Sequence, residues 1–350
     1  MDESSLFRRI AAGRTGPWSW PIRGMFRIAE LGYAAAVAAR NRRFDRGEGV
    51  LRVGVPVVSV GNLTVGGTGK TPMVIDILLR LARLGYRPAV VARGYKSPSG
   101  DANDEERLIR RRVPDVRYVA DADRARGAHR AVTVLGADAI VLDDGFQHRR
   151  LARDLDMVLI DATCPLGHGS LLPRGLLREP MTSLGRAGVV ILTRCDQVDG
   201  AVCEDVERRV RRHAPQATIL RCRHRAAGVT TLAGEESQAA LRGQRVVLCA
   251  GIANPAAFRR TVVDLGALVV AEYRRPDHHA YTVRDARRLC CEAGWPAHDL
   301  VVTTEKDAVK LARMPEVDSR RFMVVRVSID FEGDGGTMLD AVLGRMLKTS

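Results

Sequence analysis

No run of about 20 consecutive apolar residues occurs in this chain, and Arg27 and Glu30 interrupt the one stretch that approaches it, which argues against a spanning helix. The same two charges fall where the apolar region of a secretory signal would lie, so no such signal is expected. There is no C-x-x-C pair. The 7 cysteines are odd in number and include the neighbours Cys290 and Cys291, a pattern that points to neither a disulfide framework nor a zinc site and fits a reducing cytoplasm. No internal repeat, low-complexity tract, aromatic-interleaved RNA motif or recognised DNA-binding module is present. Acidic side chains are in deficit: 41 Asp and Glu against 55 Lys and Arg leave a net charge of +14. That charge is carried largely by arginine and spread over a folded surface. It suits phosphate or anionic surfaces, so nucleic acid, acidic lipid head groups and phosphorylated metabolites all fit. At 350 residues, 46% hydrophobic and 27% charged, the chain is globular and long enough for two domains.

The segment from Val55 to Leu84 organises the rest. Val55, Val57, Val58 and Val60 suit a buried strand, and Val74, Ile77, Leu78, Leu81 and Leu84 recur at helical spacing. Between them Thr64, Val65, Gly66, Gly67, Thr68, Gly69, Lys70 and Thr71 approximate G-x-x-x-x-G-K-[ST], a loop whose backbone N–H groups can surround a triphosphate at a helix N-terminus. Lys70 would reach the β- and γ-phosphates, and Thr71 would ligate Mg²⁺. Thr64 stands where the first glycine is usual, which is tolerable if Gly66, Gly67 and Gly69 supply the unusual backbone angles.

From Arg87 the chain alternates strands and helices, with strands expected at Val116–Val119, Ala139–Leu142, Met157–Ile160 and Val189–Thr193. The fold class is therefore α/β, a P-loop NTPase-type, mostly parallel sheet with helices on both faces and ligands beyond the strands' carboxyl ends. The strand Ala139–Leu142 closes on Asp143 and Asp144, followed by Gly145, Phe146, Gln147 and His148. An apolar strand ending in aspartate is the Walker B arrangement for Mg²⁺, and the second carboxylate leaves room for a base or a hydrogen-bond acceptor. Thr193, Arg194 and Asp196 are near the Thr-Lys-x-Asp that reads guanine, but the lysine is replaced, and Asp196 reads better as a strand-end cap.

Ahead of the first strand, Trp18, Trp20, Ile22, Met25, Phe26, Ala29, Tyr33 and Val37 alternate with Arg14, Arg23, Arg27, Arg40, Arg42 and Arg43. This is a basic amphipathic helix. It either lies in the interface of an anionic leaflet or packs on the core with its arginines in water.

Taken together, GNLTVGGTGKTP, RGYK, VLDDGFQHRRLARDLD, LLPRGLLREP, CAGIANP, RPDHHAY and TTEKDAVKL resemble the tetraacyldisaccharide 4'-kinases, membrane-associated ATP-dependent kinases of lipid A biosynthesis. The resemblance runs from about Trp18 to beyond Leu311. It implies transfer of the ATP γ-phosphate to the 4'-hydroxyl of an acylated glucosamine disaccharide 1-phosphate, with Mg²⁺, on the cytoplasmic face of the bacterial inner membrane. It also implies that the N-terminal helix meets that membrane and that nucleic acid is not a partner. On matching positions it assigns Lys70 and Thr71 to the triphosphate and Mg²⁺, Asp143 to Mg²⁺, and Asp144 and His148 to the substrate. Glu179 looks like a further metal-shell carboxylate. Arg178, Arg93 and Tyr95 are candidates for phosphate or sugar recognition, since arginine grips phosphate oxygens bidentately. The catalytic base resembles a pair formed by Asp104 and the first histidine of D-H-H, here His278. This chain reads NDEER where the family has a G-D-E-P-like segment, so Asp101 is the nearby alternative.

The expected domains are a helix over 1–45, a P-loop kinase domain over 46–225, a connection over 226–244 and a smaller α/β domain over 245–350. On that division a base pair of Asp104 and His278 would lie between domains. Glu305, Lys306 and Asp307 open a helix with no assigned mechanistic role beyond packing ion pairs. The rival reading is a P-loop GTPase or nucleic-acid-linked NTPase using Asp196 for guanine.

Overall fold

The computed structural model describes residues 20–94, 103–236, 241–252, 254–277, 279–291 and 300–349. In chain order the elements are α1 (Trp20–Asp45), β1 (Val57–Asn62), α2 (Lys70–Arg83), β2 (Pro88–Ala92), α3 (Asp104–Arg112), β3 (Arg117–Ala120), α4 (Arg124–Thr133), β4 (Ala139–Asp143), β5 (Leu155–Asp161), β6 (Val189–Thr193), α5 (Gly200–His213), β7 (Thr218–Thr231), β8 (Arg245–Ala250), α6 (Pro255–Asp264), β9 (Leu268–Arg274), α7 (Val283–Cys291), β10 (Leu300–Thr304), α8 (Glu305–Leu311), β11 (Phe322–Phe331) and α9 (Gly335–Thr349). They form two compact units. The first holds Met1–Tyr95, Val116–Arg223 and Phe331–Ser350; the second holds Lys96–Asp115 and His224–Asp330.

In the first unit the strands run in the order β3-β2-β4-β1-β5-β6-β7, every pair parallel. All six residues of β1 are buried, as expected of a strand covered on both faces. Its neighbours β4 and β5 lie on opposite sides, so the carboxyl end of β1 is a topological switch point, where sheets of this kind bind ligands. Helix α2 buries Met73, Val74, Ile77, Leu78 and Leu81, the apolar stripe of its sequence. Each such side chain contributes roughly 1.5–3 kcal/mol through burial. One face of the sheet is filled by Phe146, Val158, Ile160, Val190 and Leu192 with Val206 and Val210 of α5. Val57, Val91, Ile140 and Leu142 pack with Ala125, Ala128 and Ala131 of α4 in a separate cluster.

The second unit has its own parallel order, β11-β10-β8-β9. Phe322, Val301, Ala308 and Leu311 lie in one core cluster, and Val246, Val302, Phe258 and Val262 in another.

Three features differ from the sequence expectation. Strand β7 runs to Thr231, into the stretch expected to be a connection, and Thr230 then bridges Glu236. Residues 331–350 belong to the first unit, where Arg80 of α2 donates to Asp340 at 2.6 Å and to the Gly336 carbonyl at 3.0 Å. The third is the most consequential. Helix α3, which begins with Asp104, belongs to the second unit.

Candidate active site

The phosphate-binding loop leaves β1 after Asn62 and enters α2 at Lys70. Gly66 and Gly69 adopt φ of 117° and 91°, values that a β-carbon would strain. Gly67 is not among the positive-φ residues, and neither is Thr64. Thr64 instead bridges Leu177, and the Val65 N–H donates to the Leu176 carbonyl at 2.8 Å, so threonine occupies an extended position that does not require glycine. No side chain caps the N-terminus of α2, so the amides of its first turn are not taken by a capping side chain.

Lys70 is aimed by two oxygens. Its Nζ lies 3.3 Å from Asn62 Oδ1 and 3.3 Å from Asp144 Oδ1. Asp144 also receives two bonds from Arg178, at 3.1 and 2.9 Å. Burial alone would raise the Asp144 carboxyl, but Lys70 and Arg178 outweigh it and hold the group below the usual aspartate range. The backbone of Asp144 is left-handed, with φ of 52°. This departure sets it apart from Asp143, the last residue of β4, which stands in register with Val60 of β1 and is 5% exposed.

The loop is held from behind by β6. Thr193 Oγ1 donates to the Thr68 carbonyl at 3.1 Å, and Arg194 Nη2 donates to the Gly67 carbonyl at 3.0 Å. Arg194 also pairs with Asp161 at the end of β5 and has φ of 59°. The Thr-Arg-x-Asp segment thus braces the phosphate loop through its first two residues. Asp196 is exposed.

Other sequence-predicted residues fare differently. Glu179 is fully buried, with Oε1 taken by Arg40 at 2.6 Å and Oε2 by Arg186 at 2.7 Å and Asn41 at 3.3 Å. In this structure its oxygens neutralise two arginines, and no described contact brings them to Thr71 or Asp143. His148 has its Nε2 buried without a hydrogen-bond partner among the described residues, and burial, with the charge of Arg124 next, pushes the ring down to about 4. The ring is half-buried. Arg93 is exposed just beyond β2. Tyr95, Asp101 and His278 lie outside the described residues.

In the second unit Asp104 opens α3 behind the N-cap Asn103, whose Oδ1 accepts from the Glu106 N–H at 2.7 Å. Lys310 of α8 reaches it, with Nζ 3.2 Å from Asp104 Oδ2, and also donates to the His279 carbonyl at 3.0 Å. Asp104 and the described residues of the RPDHHAY loop therefore share one unit, a grouping that differs from the division expected from chain order. His279 itself faces Asp285, with Nε2 and Oδ2 3.1 Å apart. Burial opposes ionisation of Asp285, yet bonds from Tyr273, Thr282 and Arg275 hold its carboxyl far below the usual range. Sequence reasoning missed Asn62, Asp161 and Lys310. Asn62 had a signal in its place at the end of β1, whereas Asp161 and Lys310 are defined only by contacts distant in sequence.

A parallel sheet with this loop at its switch point, a lysine set between an amide and a carboxylate, and an aspartate closing the adjacent strand define an α/β nucleotide-binding protein of the P-loop class. The narrower assignment comes from comparison. Residues 22–345 match the family described as tetraacyldisaccharide-1-P 4'-kinase, and the chain belongs to that family. It is 44% identical to the tetraacyldisaccharide 4'-kinase of Anaeromyxobacter sp. (strain Fw109-5), with 97% of each chain covered. It is 39% identical to that of Syntrophus aciditrophicus (strain SB), over 85% of this chain and 86% of the other. Among solved structures it is similar to LpxK from Aquifex aeolicus in complex with ATP, with a TM-score of 0.72 at 25% identity, covering 93% of this chain and 99% of that one.

Proposed function

We propose that the protein transfers the γ-phosphoryl group of ATP to the 4'-hydroxyl of a tetraacylated glucosamine disaccharide 1-phosphate, a step of lipid A biosynthesis. The observation that carries this reading is Lys70, held between Asn62 and Asp144 at the head of α2, in a chain that matches the family over nearly its whole length. No described contact favours the GTPase alternative, because Arg194 is spent on Gly67 and Asp161.

The loop amides and Lys70 bind the triphosphate, and Asp144 keeps both Lys70 and Arg178 directed at it. Arg178 supplies a planar donor pair for phosphate oxygens. Thr71, second in α2, and Asp143, at the end of β4, fit Mg²⁺: the ion prefers few protein oxygens beside phosphate, and the buried Asp143 stands in register with the strand that feeds the loop. When bound, Mg²⁺ neutralises charge on the β- and γ-phosphate oxygens. Asp104, which resembles the family's base, accepts the hydroxyl proton as the 4'-oxygen bonds to the γ-phosphorus and the bond to the bridging oxygen of ADP breaks. The family resemblance assigns His278 to the same proton transfer.

Among the described residues no helix is long and apolar enough to cross a membrane. Helix α1 nevertheless exposes Met25, Ile28 and Leu31 on one side, while Tyr33, Ala34 and Val37 face the core. That division supports peripheral attachment to the cytoplasmic face of the inner membrane through the first half of α1.

The test is transfer of radiolabelled γ-phosphate from ATP to an acylated disaccharide 1-phosphate in detergent micelles. Wild type should transfer, and Lys70→Ala and Asp144→Asn should each lose about a hundredfold or more in kcat. Nucleotide hydrolysis without transfer to any acylated disaccharide would refute the reading.

A further inference from the structure

We propose that Lys310 is a positioning residue for the transfer, tying Asp104 to the backbone at His279. The inference rests on the reading of Asp104 as proton acceptor and adds to it a role for the TTEKDAVKL motif.

Lys310 is not a surface lysine with one convenient partner. Its side chain is 10% exposed, and its Nζ has three oxygens within reach: Asp104 Oδ2 at 3.2 Å, the His279 carbonyl at 3.0 Å and Asp307 Oδ1 at 3.9 Å. An ammonium placed this way cannot swing to one partner without releasing another, so it fixes their separation. Helix α8 grips the same loop a second time, because Lys306 donates to Asp277 at 2.7 Å. The two grips fall at Asp277 and at the His279 carbonyl.

The helix that carries these lysines is itself fixed. Asp307 is fully buried, accepting from the Gly251 N–H at 2.9 Å and from Thr304 Oγ1 at 2.8 Å. Glu305 accepts two bonds at 2.9 Å from Arg112 and one at 3.1 Å from the Val327 N–H. Arg112 is the last residue of α3 and Asp104 the first. Helix α3 is therefore clamped to α8 at both ends, by Glu305 at one and Lys310 at the other. An isolated exposed ion pair would stabilise little. A network shielded from water that spans a helix and a loop instead sets geometry, and a displacement of about 1 Å at a proton acceptor can cost about a hundredfold in rate.

The experiment compares Lys310→Met, Lys310→Arg, Asp104→Asn and the double variant Lys310→Met/Asp104→Asn in the micellar transfer assay. The expected result is a kcat about 10- to 100-fold lower in Lys310→Met with the KM for ATP within about twofold of wild type, since the lysine orders the acceptor and not the nucleotide. Lys310→Arg should recover most of the loss. The double variant should be no slower than Asp104→Asn alone, because the two act as one unit. Wild-type kcat in Lys310→Met beside an inactive Asp104→Asn would overturn this inference and leave the base assignment standing. Full activity in Asp104→Asn would overturn the base assignment and the inference with it. Should Lys310→Met fail to fold, as judged by its thermal midpoint, Lys310→Gln takes its place, and equal kcat in the Gln and Arg variants would overturn the proposal.

Discussion

Glu179 and His148 show how much a residue's role depends on what surrounds it. Glu179 is completely buried between Arg40 and Arg186, and Arg186 also lies over the Phe146 ring, 4.3 Å from its centroid. Removing the carboxylate leaves two arginines uncompensated, so Glu179→Gln should lower the unfolding free energy by about 3–5 kcal/mol, measured by urea denaturation. The Mg²⁺ concentration that half-saturates activity of the folded variant should be unchanged; a marked rise would place Glu179 in the metal shell. His148 gives a pH signature. Burial, and then Arg124, push its folded ring down to about 4 from an ordinary 6.5. Between these values the unfolded chain binds the additional proton, so stability from this group is intact above the upper value and is lost as pH falls toward the lower. Wild type should lose on the order of 2 kcal/mol from this source between the two. His148→Gln should show a flatter dependence of urea midpoint on pH over the same window, and an identical slope would contradict the assignment.

At the scale of elements, β6 and the phosphate loop form one device. Thr193 and Arg194 hold the carbonyls of Thr68 and Gly67 from the carboxyl end of the strand, and Asp161 steadies the arginine. Holding those carbonyls fixes the peptide planes of the loop and so the direction of its N–H groups. Arg194→Met should therefore raise the KM for ATP about tenfold, the size expected for a lost charge-assisted bond, with the KM for the acceptor unchanged. Steady-state kinetics with each substrate varied in turn checks this, and an unaltered KM for ATP would show that the loop keeps its shape without the brace. The loop and β1 were legible in the sequence because both are local: β-branched strand, glycine turn and apolar helical spacing fall within one stretch. The brace was not. Its first two residues matched a fragment of a guanine-reading motif, and only the fold shows that the guanidinium turns back onto the loop. The helix α8 network was unreadable for the same reason, since Lys310 meets Asp104 across more than half the chain's length.

For the whole molecule, alternation of strands and helices announced a parallel α/β fold, but which segments cluster together did not follow from chain order. A linear reading assigns 96–115 to the domain it interrupts and 331–350 to the domain it follows, whereas each packs in the other unit. Charge is the one global property the sequence states directly, and with α1 it makes a prediction about attachment. The net charge of +14 favours anionic surfaces generally, while Met25, Ile28 and Leu31, exposed at 68%, 73% and 66%, offer apolar area at one place. Arg27, Arg42 and Arg43 are exposed on the same helix and can meet head groups. Two contributions of different salt sensitivity should then act together. Wild type should co-sediment with vesicles containing anionic lipid, less so as ionic strength rises and the screening length shortens, but with a residual fraction held by apolar insertion. The variant Met25→Ser/Ile28→Ser/Leu31→Ser should lose that residual fraction while keeping the charge-dependent part and its kcat in micelles. Equal sedimentation of the two proteins at high salt would place attachment elsewhere on the molecule.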